Sequence, residues 1–116
     1  MPVLVVLGIP DEIEKERLSH FSDDLRSAVE NFIAFDLNRN DVSVFFPKDH
    51  LSEGLGEEII IFVEMLFEKR ERTKNRIYEY AVALGEIGVK YFPDAVIAVN
   101  INSINPNNGF WSKASL

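Results

Sequence analysis

The sequence contains no cysteine, and this absence excludes disulfides, thiolate catalysis and zinc sites built from cysteine. Histidine is almost as scarce. His20 and His50 stand alone, and neither has a partner at the spacing of a metal-binding motif. We therefore expect that this protein binds no metal.

Positive charge is also in short supply. Lys and Arg together number 12 against 19 Asp and Glu, which gives a formal net charge of -7. Proteins that bind phosphate backbones need clustered Lys and Arg to displace counterions. We therefore expect no nucleic-acid partner, and an anionic small molecule would need a local basic pocket.

Long apolar runs are missing as well. No stretch approaches the roughly 18 apolar residues that span a bilayer, and the apolar opening lacks a preceding basic segment and runs directly into acidic residues from Asp11 onward. We expect no signal peptide, no membrane partner and a cytoplasmic protein. With 116 residues, 47% of them apolar, the chain fits one domain at 1–116, near the size at which oligomerisation often adds burial.

What the sequence does have is a strongly apolar beginning. Pro2 is followed by the run Val3-Leu4-Val5-Val6-Leu7-Gly8-Ile9, which is rich in β-branched and leucyl residues. Such a run predicts a strand at 3–9 that is buried on both faces, and strands of this kind are usually central in their sheet.

Pro2 gives this strand a possible chemistry. An initiator Met before proline is normally removed, which would leave a secondary amine at the start of a buried strand. Burial disfavours the ammonium form, so the amine could be neutral near pH 7 and act as a general base. The alternative is that Pro2 only begins a strand, which proline tolerates, and a retained Met1 would make its nitrogen an amide.

In the rest of the chain, segments whose apolar residues have the spacing of a helix alternate with segments typical of strands. Apolar residues at three- and four-residue spacing predict a helix at about 12–35, capped by Asp11, and a second helix whose stripe runs from Ile77 to Tyr91. Continuous apolar runs predict the remaining strands at 42–46, 59–67 and 95–102.

This order consists of two consecutive β-α-β units, a structural pseudo-repeat with halves at about 1–47 and 58–102 and a C-terminal tail at 103–116. Two such units commonly join into one four-stranded mixed sheet with both helices on one face, an α+β fold. The apolar side chains on the other face of the sheet would then be exposed unless something packs against them. A partner subunit is the simplest way to bury them. In the tail, Phe110 and Trp111 are either interface anchors or part of their own subunit's core.

The amino-terminal Met-Pro, the strand that follows it and the two β-α-β halves resemble the tautomerase superfamily, which includes 4-oxalocrotonate tautomerase and macrophage migration inhibitory factor. Asn75-Arg76-Ile77-Tyr78 and Asn108-Gly109-Phe110-Trp111 are similar to stretches of the migration inhibitory factor. The run from Val63 to Thr73 is similar to an uncharacterised bacterial branch of tautomerase-like proteins.

This resemblance implies a homotrimer without cofactors that moves protons on small anionic enol or dienol carboxylates, with Pro2 as the acid or base. Arginines that bind the substrate carboxylate would be represented by Arg70 and Arg72, and a further basic residue by Arg39. The active-site tyrosine that the migration inhibitory factor has on its last strand finds no match, because Ile97 and Val99 stand there.

Glu64 is the only charged residue between Ile59 and Phe67, so we expect its carboxylate to be desolvated and to need a partner. It is either a second acid or base near Pro2 or a structural carboxylate paired with a neighbouring subunit. The run Glu68-Lys69-Arg70-Glu71-Arg72 likewise has two interpretations, since local ion pairs at a solvated helix start would also explain it. Two functions therefore remain open: a tautomerase-like isomerase, and a trimeric binding or scaffold protein of the same fold that has lost the chemistry.

Overall fold

The computed structural model describes residues 2–32 and 36–113. Four strands and two long helices follow the order β1 (Val3–Leu7), α1 (Lys15–Glu30), β2 (Ser43–Phe45), β3 (Glu58–Phe67), α2 (Lys74–Tyr91) and β4 (Val96–Ile104). A short 3-10 helix, Arg39–Asp41, precedes β2. The two predicted β-α-β units are thereby confirmed.

The strands form one mixed sheet in the order β2-β1-β3-β4. β1 is parallel to β2, β3 is parallel to β4, and the two central strands β1 and β3 are antiparallel. The starts of β1 and β2 and the ends of β3 and β4 consequently meet at one end of the sheet, which we call the Pro2 end. The predicted central position of the first strand is confirmed.

Both helices cover the same face of the sheet, as predicted. Phe21 and Leu25 of α1 and Tyr80 and Leu84 of α2 are buried in one core with inward-facing residues of the two central strands. At about 25 cal/mol per Å² of apolar surface removed from water, this layer supplies the main stabilisation of the single chain. α2 lies close to the sheet because it has glycine at position 88, where a Cβ would lie 2.9 Å from Cγ2 of Ile97.

The other face of the sheet is not covered by the chain itself. On β1, Leu4 and Val6 are fully buried, whereas Val3 and Val5 are half-buried and Leu7 is exposed. The expectation that the first strand is buried on both faces therefore fails for the single chain, because the helices supply only one covering layer. We call the uncovered side the open face.

The first helix differs from its prediction at its start. Ile13 donates its backbone N–H to the carbonyl of Pro10, at 3.2 Å, and this turn keeps Asp11 out of the helix. The residue at the cap is Glu14, whose side chain makes no capping bond, so the predicted Asp11 cap is wrong. The helix ends at Glu30, and the last residues of the predicted range, 33–35, lie outside the described residues.

Gly8 ends β1 at the end of the sheet opposite Pro2. Its φ of +90° favours glycine, and a Cβ there would lie 1.8 Å from the carbonyl oxygen of Glu58. A residue with a side chain would therefore push β1 and β3 apart. No helix among the described residues is both long and apolar enough to cross a bilayer.

Candidate active site

Pro2 lies at the start of the central strand β1 and is buried. Its carbonyl accepts a hydrogen bond from the backbone N–H of Ser43, at 3.3 Å, which continues the β1–β2 pairing beyond Val3. Met1 lies outside the described residues. The position of Pro2 agrees with the prediction of a proline at the mouth of a central strand.

Glu64 lies on β3 next to this position. It is paired with Val3, the residue after Pro2, in the antiparallel register. Its carboxylate is half-buried on the open face, and its Oε1 accepts a hydrogen bond of 2.8 Å from Nδ2 of Asn102 on β4. The partner expected for Glu64 therefore includes a side chain of its own subunit, and in the single chain the desolvation is only partial.

A β-bulge lies at the same place. Val63 is paired with Ile101 and Leu66 with Ser103, so two residues of β3 oppose one residue of β4. Met65, inside the bulge, has a φ of +61°, a conformation that side chains other than glycine rarely adopt. The extra residue resets the alternation of the strand, and Leu66 is thereby returned to the core.

Arg70 and Arg72 follow β3 in the turn that leads to α2, and the structure separates them. Arg72 is only 8% exposed, and its Nη1 donates to the carbonyl of Phe67 at 2.6 Å. Burial lowers the pKa of the Arg72 guanidinium, while the nearby carboxylates of Asp36 and Glu71 act in the opposite direction. Arg70 is exposed, and no side chain of the described residues forms an ion pair with it.

Arg39 lies in the 3-10 helix before β2. Its guanidinium forms an ion pair with Asp23 of α1 at 2.8 Å, and its backbone N–H donates to Oε1 of Glu30 at 2.9 Å. Arg39 thus connects the approach to β2 with α1. The five residues singled out from the sequence all lie on elements that meet at the Pro2 end: Pro2, Arg39, Glu64, Arg70 and Arg72. Arg39 and Arg72, however, already contact other groups of the protein, whereas Arg70 does not form an ion pair with any described side chain.

Two residues at this end were not singled out from the sequence. Arg26 of α1 is half-buried and donates Nη1 to the carbonyl of Val42, at 3.0 Å, directly before Ser43. Asn102 holds the carboxylate of Glu64, as described above. A signal for Asn102 was present, since Asn100 and Asn102 alternate with apolar residues on one face of the last strand.

Two cavities lie at the opposite end of the sheet. The first, of about 440 Å³, is lined by Leu7, Pro47, Leu55 and Ile60 among others, and the second, of about 420 Å³, lies between Pro10 and the end of α2. The length of β1 separates them from Pro2, roughly 17 Å at the usual rise per residue of a strand. Neither cavity brings a candidate acid, base and guanidinium together around Pro2.

No family model and no curated protein matches the sequence. Solved structures do match the fold. A wild-type fused 4-OT in a symmetric trimer has a TM-score of 0.75 at 12% identity, with 97% of this chain and 93% of that chain covered. N1, a member of the cis-3-chloroacrylic acid dehalogenase family, has a TM-score of 0.72 at 16% identity, over 98% of this chain and 82% of that chain.

A third match is FG41 malonate semialdehyde decarboxylase, inhibited by 3-bromopropiolate. Its TM-score is 0.67 at 15% identity, and 97% of this chain and 88% of that chain are covered. The identities are low, but each alignment extends over nearly the whole of this chain. The fold of this chain is therefore the fold of the tautomerase superfamily.

Proposed function

We propose that this protein is a cofactor-free enzyme that moves protons on small enol or dienol carboxylates, with Pro2 of the Met1-free chain as acid or base. The observation that supports this most is the position of Pro2, buried at the start of a central strand and one residue away from the pair Val3–Glu64. The solved structures that share the fold include a 4-OT, a dehalogenase family member and a decarboxylase. They do not single out one of these reactions for this chain.

The chemistry follows from the secondary amine. A neutral amine accepts a proton from a carbon next to a carbonyl, which leaves an enolate, and the ammonium that results returns the proton to this enolate at its oxygen or at another carbon. No group is consumed in this cycle, so one titrating nitrogen is sufficient. Met1 retained on the chain would turn the nitrogen into an amide, which cannot accept the proton, and the rate should fall by about 10²-fold or more.

The substrate carboxylate needs a cation, and we propose Arg70 for this role. It is exposed, and it lies in the turn after β3 at the Pro2 end of the sheet. Arg72 is buried and bonded to the Phe67 carbonyl, and Arg39 is paired with Asp23. In the proposal those two arginines therefore have structural roles beside the site. Either of them could bind a ligand only by giving up its present contact with the protein.

We further propose that the protein is a homotrimer in which the open face is covered by other copies. Apolar side chains dominate that face, among them Phe45, which is 56% exposed, and Val96, which is 66% exposed. Because Glu64 lies on the same face, a neighbouring subunit would also enclose the Pro2 end. The trimeric fused 4-OT supports this arrangement by analogy of fold.

Covalent labelling tests the proposed nitrogen. One structural neighbour was inactivated by 2-oxo-3-pentynoate, an acetylenic ketone. A neutral secondary amine adds to such an alkyne without a leaving group, so Met1-free protein should gain the mass of one reagent molecule per subunit, on the peptide that begins with Pro2. Protein with Met1 retained should stay unlabelled. Equal labelling of both forms, or labelling elsewhere, would contradict the proposal.

Arg70→Ala should raise KM for a 2-hydroxydienoate well beyond any effect on stability, because a charge-assisted hydrogen bond contributes about 1.5–3 kcal/mol. Arg76→Ala is a matched control, since Arg76 is an exposed helix arginine that is already paired with Glu79. Unchanged kinetics in Arg70→Ala would remove Arg70 from the site.

A second candidate function is a trimeric binding or scaffold protein that has lost the chemistry. The observation that favours it is that two of the three expected arginines, Arg39 and Arg72, already have protein partners. A Met1-free trimer that neither turns over enols nor reacts with 2-oxo-3-pentynoate would establish this alternative.

A further inference from the structure

We infer that Arg26 is a positioning residue for Pro2, which it reaches through the peptide group between Val42 and Ser43. The carbonyl of this peptide group accepts a hydrogen bond from Nη1 of Arg26, at 3.0 Å, and its N–H donates to the carbonyl of Pro2, at 3.3 Å. The inference rests on the proposed function, because it concerns the placement of the nitrogen that the proposal makes catalytic. It goes beyond that function in naming the side chain that holds the start of β1. We call this peptide group the bridging peptide.

The start of β1 has few other backbone contacts. The pairing of β1 with β3 begins only at Val3, which is opposite Glu64. The next residue of β3, Met65, has a φ of +61° and leaves the extended conformation that a ladder needs, so the pairing does not continue to Pro2. Within residues 2–32 and 36–113, the N–H of Ser43 is the one backbone donor to the carbonyl of Pro2. The position of Pro2 in the sheet therefore depends on the start of β2.

The bridging peptide lies at the edge of the sheet. β2 has β1 on one side and no strand of the described residues on the other. In a trans peptide the N–H and the C=O point in opposite directions. Because the N–H of Ser43 points toward β1, the carbonyl of Val42 points away from the sheet, where no strand supplies a donor. Val42 is only 3% exposed, and a buried carbonyl needs a hydrogen-bond donor. Arg26 of α1 provides it.

The donor is a charged group on a fixed element. No carboxylate of the described side chains forms an ion pair with Arg26, and hydrogen bonds from an ionised donor are about twice as strong as those between neutral groups. Arg26 is half-buried, and its helix is held in the core by the fully buried side chains of Phe21 and Leu25. The bond from Arg26 therefore ties the bridging peptide to a rigid helix.

Two other contacts join the segment before β2 to α1, but both of them end at Arg39. Its guanidinium is paired with Asp23, and its backbone N–H donates to Oε1 of Glu30. These contacts hold the 3-10 helix, which ends before Val42. The bond from Arg26 is made to the same peptide group that bonds Pro2, so Arg26 has the most direct connection between α1 and Pro2.

A fixed carbonyl restricts the amine of the same residue. In the Met1-free chain the proline ring holds the nitrogen on the Cα and the Pro2–Val3 peptide is planar, so only the rotation about the Cα–C bond remains between nitrogen and carbonyl. Pro2 is buried, and its surroundings limit that rotation. Loss of the bond at the carbonyl would let the first peptide group turn and carry the nitrogen with it. A displacement of about 1 Å can lower a catalytic rate by about 10²-fold.

The first measurement is amide hydrogen exchange at Ser43 in Met1-free protein. Arg26→Met keeps the aliphatic stem and removes the donors, and we expect exchange at Ser43 to become about 10-fold faster or more. Arg26→Lys can still donate to the Val42 carbonyl and should restore most of the protection. Arg17→Met is the matched control, because Arg17 lies on the same helix and donates to the backbone carbonyl of Tyr91 at the other end of the sheet. It should leave Ser43 unchanged. The core amides of β3 report global unfolding and separate it from the local effect.

The second measurement is steady-state turnover of a 2-hydroxydienoate, which separates positioning from stability. We expect kcat about 10-fold lower in Arg26→Met and KM within about two-fold of the parent, because the inference gives Arg26 no contact with the substrate. Arg26→Lys should recover most of kcat. Arg17→Met should have the constants of the parent.

The third measurement needs no substrate. It is the ¹⁵N signal of the amino-terminal proline in Met1-free protein labelled with ¹⁵N-proline. The sequence has five prolines, but only the amino-terminal one has a nitrogen that titrates, which identifies its signal. This signal should shift in Arg26→Met and stay in place in Arg17→Met.

Equal exchange at Ser43 in Arg26→Met and Arg17→Met would overturn the inference. So would faster exchange with an unchanged kcat, because the bond would then hold only the edge of the sheet. A raised KM with an unchanged kcat would also overturn it, because Arg26 would then bind the substrate. If the parent turns over no enol, the proposed function fails, and the exchange at Ser43 and the proline signal decide by themselves whether Arg26 positions Pro2.

Discussion

The two faces of the sheet carry side chains from the same strands, yet they differ in what covers them. Ile59, Ile61 and Val63 of β3 are all at most 1% exposed beneath the helices. Ile60, Phe62 and Glu64, which alternate with them, are only half-buried. Period two alone would have put polar residues on a face that stays in water, so we propose that the unbroken apolar run reflects a second covering layer supplied by other copies of the chain.

The open face also differs in kind, since it mixes apolar residues with polar ones, most of which lie toward one end, with Glu58 at the other. Ser43, Glu64, Asn100 and Asn102 lie toward the Pro2 end, and Val96, Ala98 and Ile60 lie toward the other. The covered face serves stability in one subunit. We propose that the open face serves both assembly and chemistry.

The largest expected effect comes from a charge placed on the open face. Phe62→Asp would bury an unpaired carboxylate against a neighbouring subunit, at a cost on the order of 3 kcal/mol or more per subunit, and should give a monomer by light scattering. Val89→Asp, at an exposed apolar position of α2, is the control and should stay trimeric. A trimeric Phe62→Asp protein would show that the open face is not the interface.

The next largest effect is a difference in stability between substitutions at two adjacent isoleucines that lie on opposite faces of the sheet. The free energy of unfolding is measured with urea in the monomeric Phe62→Asp background. Ile61→Ala should lower the free energy of unfolding by about 2–5 kcal/mol, because it leaves a cavity in the core. Ile60→Ala should cost clearly less, since its side chain is only half-buried. Equal losses would mean that one subunit closes both faces by itself.

A smaller effect distinguishes the two aromatic residues of the tail. Phe110 packs edge-on against Phe67 with ring centroids 5.0 Å apart, so Phe110→Ala should cost the single subunit about 1–2 kcal/mol. Trp111 is 82% exposed, and Trp111→Ala should leave the unfolding of the monomer within about 0.5 kcal/mol while weakening the trimer. Unchanged assembly in Trp111→Ala, or in a chain truncated after Ser103, would remove the tail from the interface.

The smallest effect concerns the helix layer on the covered face. Asp24 of α1 accepts from the hydroxyl of Tyr91, at 2.7 Å, and from Nζ of Lys90, at 3.2 Å. The hydrogen bond from Tyr91, followed by Lys90, lowers the pKa of the Asp24 carboxyl below its ordinary value. A lowered folded-state pKa gives stability that is present above about pH 4 and is lost as the pH falls through the folded value.

Asp24→Asn should therefore cost about 0.5–1 kcal/mol at pH 7, a modest value because the pair is partly exposed. Urea unfolding near pH 2.5 should bring the variant and the parent together. A difference that stays constant between these two pH values would mean that the charge of Asp24 makes no contribution. Asp23→Asn, at the ion pair with Arg39, provides a comparison on the same helix.

Much of this fold could be predicted from the sequence, because the signals were long and regular. The apolar stripes predicted both helices, and the continuous runs predicted all four strands in their places, including the central strand after Pro2. The start of α2 at Lys74 was harder to predict, since the charged residues before Ile77 hide the stripe. Thr73 caps that helix by accepting the backbone N–H of Arg76, at 3.3 Å.

The site was less predictable for two physical reasons. The sequence around Met65 contains no glycine or proline that would predict a bulge. The bulge depends on pairing with β4, which is far away in the sequence. Whether Arg70 and Arg72 are buried or exposed depends on a turn in which the backbone N–H of Arg72 donates to the carbonyl of Lys69, at 3.0 Å. Two arginines in one charged run look equivalent until that turn directs one of them inward. The roles of Pro2, Glu64 and the arginines stay predictions.

The most direct test of the central claim is the turnover of 2-hydroxydienoates and phenylpyruvate-type enols by Met1-free and Met1-retained protein, with both forms verified by intact mass. The retained Met1 changes the Pro2 nitrogen into an amide and leaves every side chain of the site in place. We predict turnover by the Met1-free form and a rate lower by about 10²-fold or more in the Met1-retained form, the usual scale for one acid or base. Equal rates in the two forms would contradict the claim and make Glu64 the leading candidate for the base.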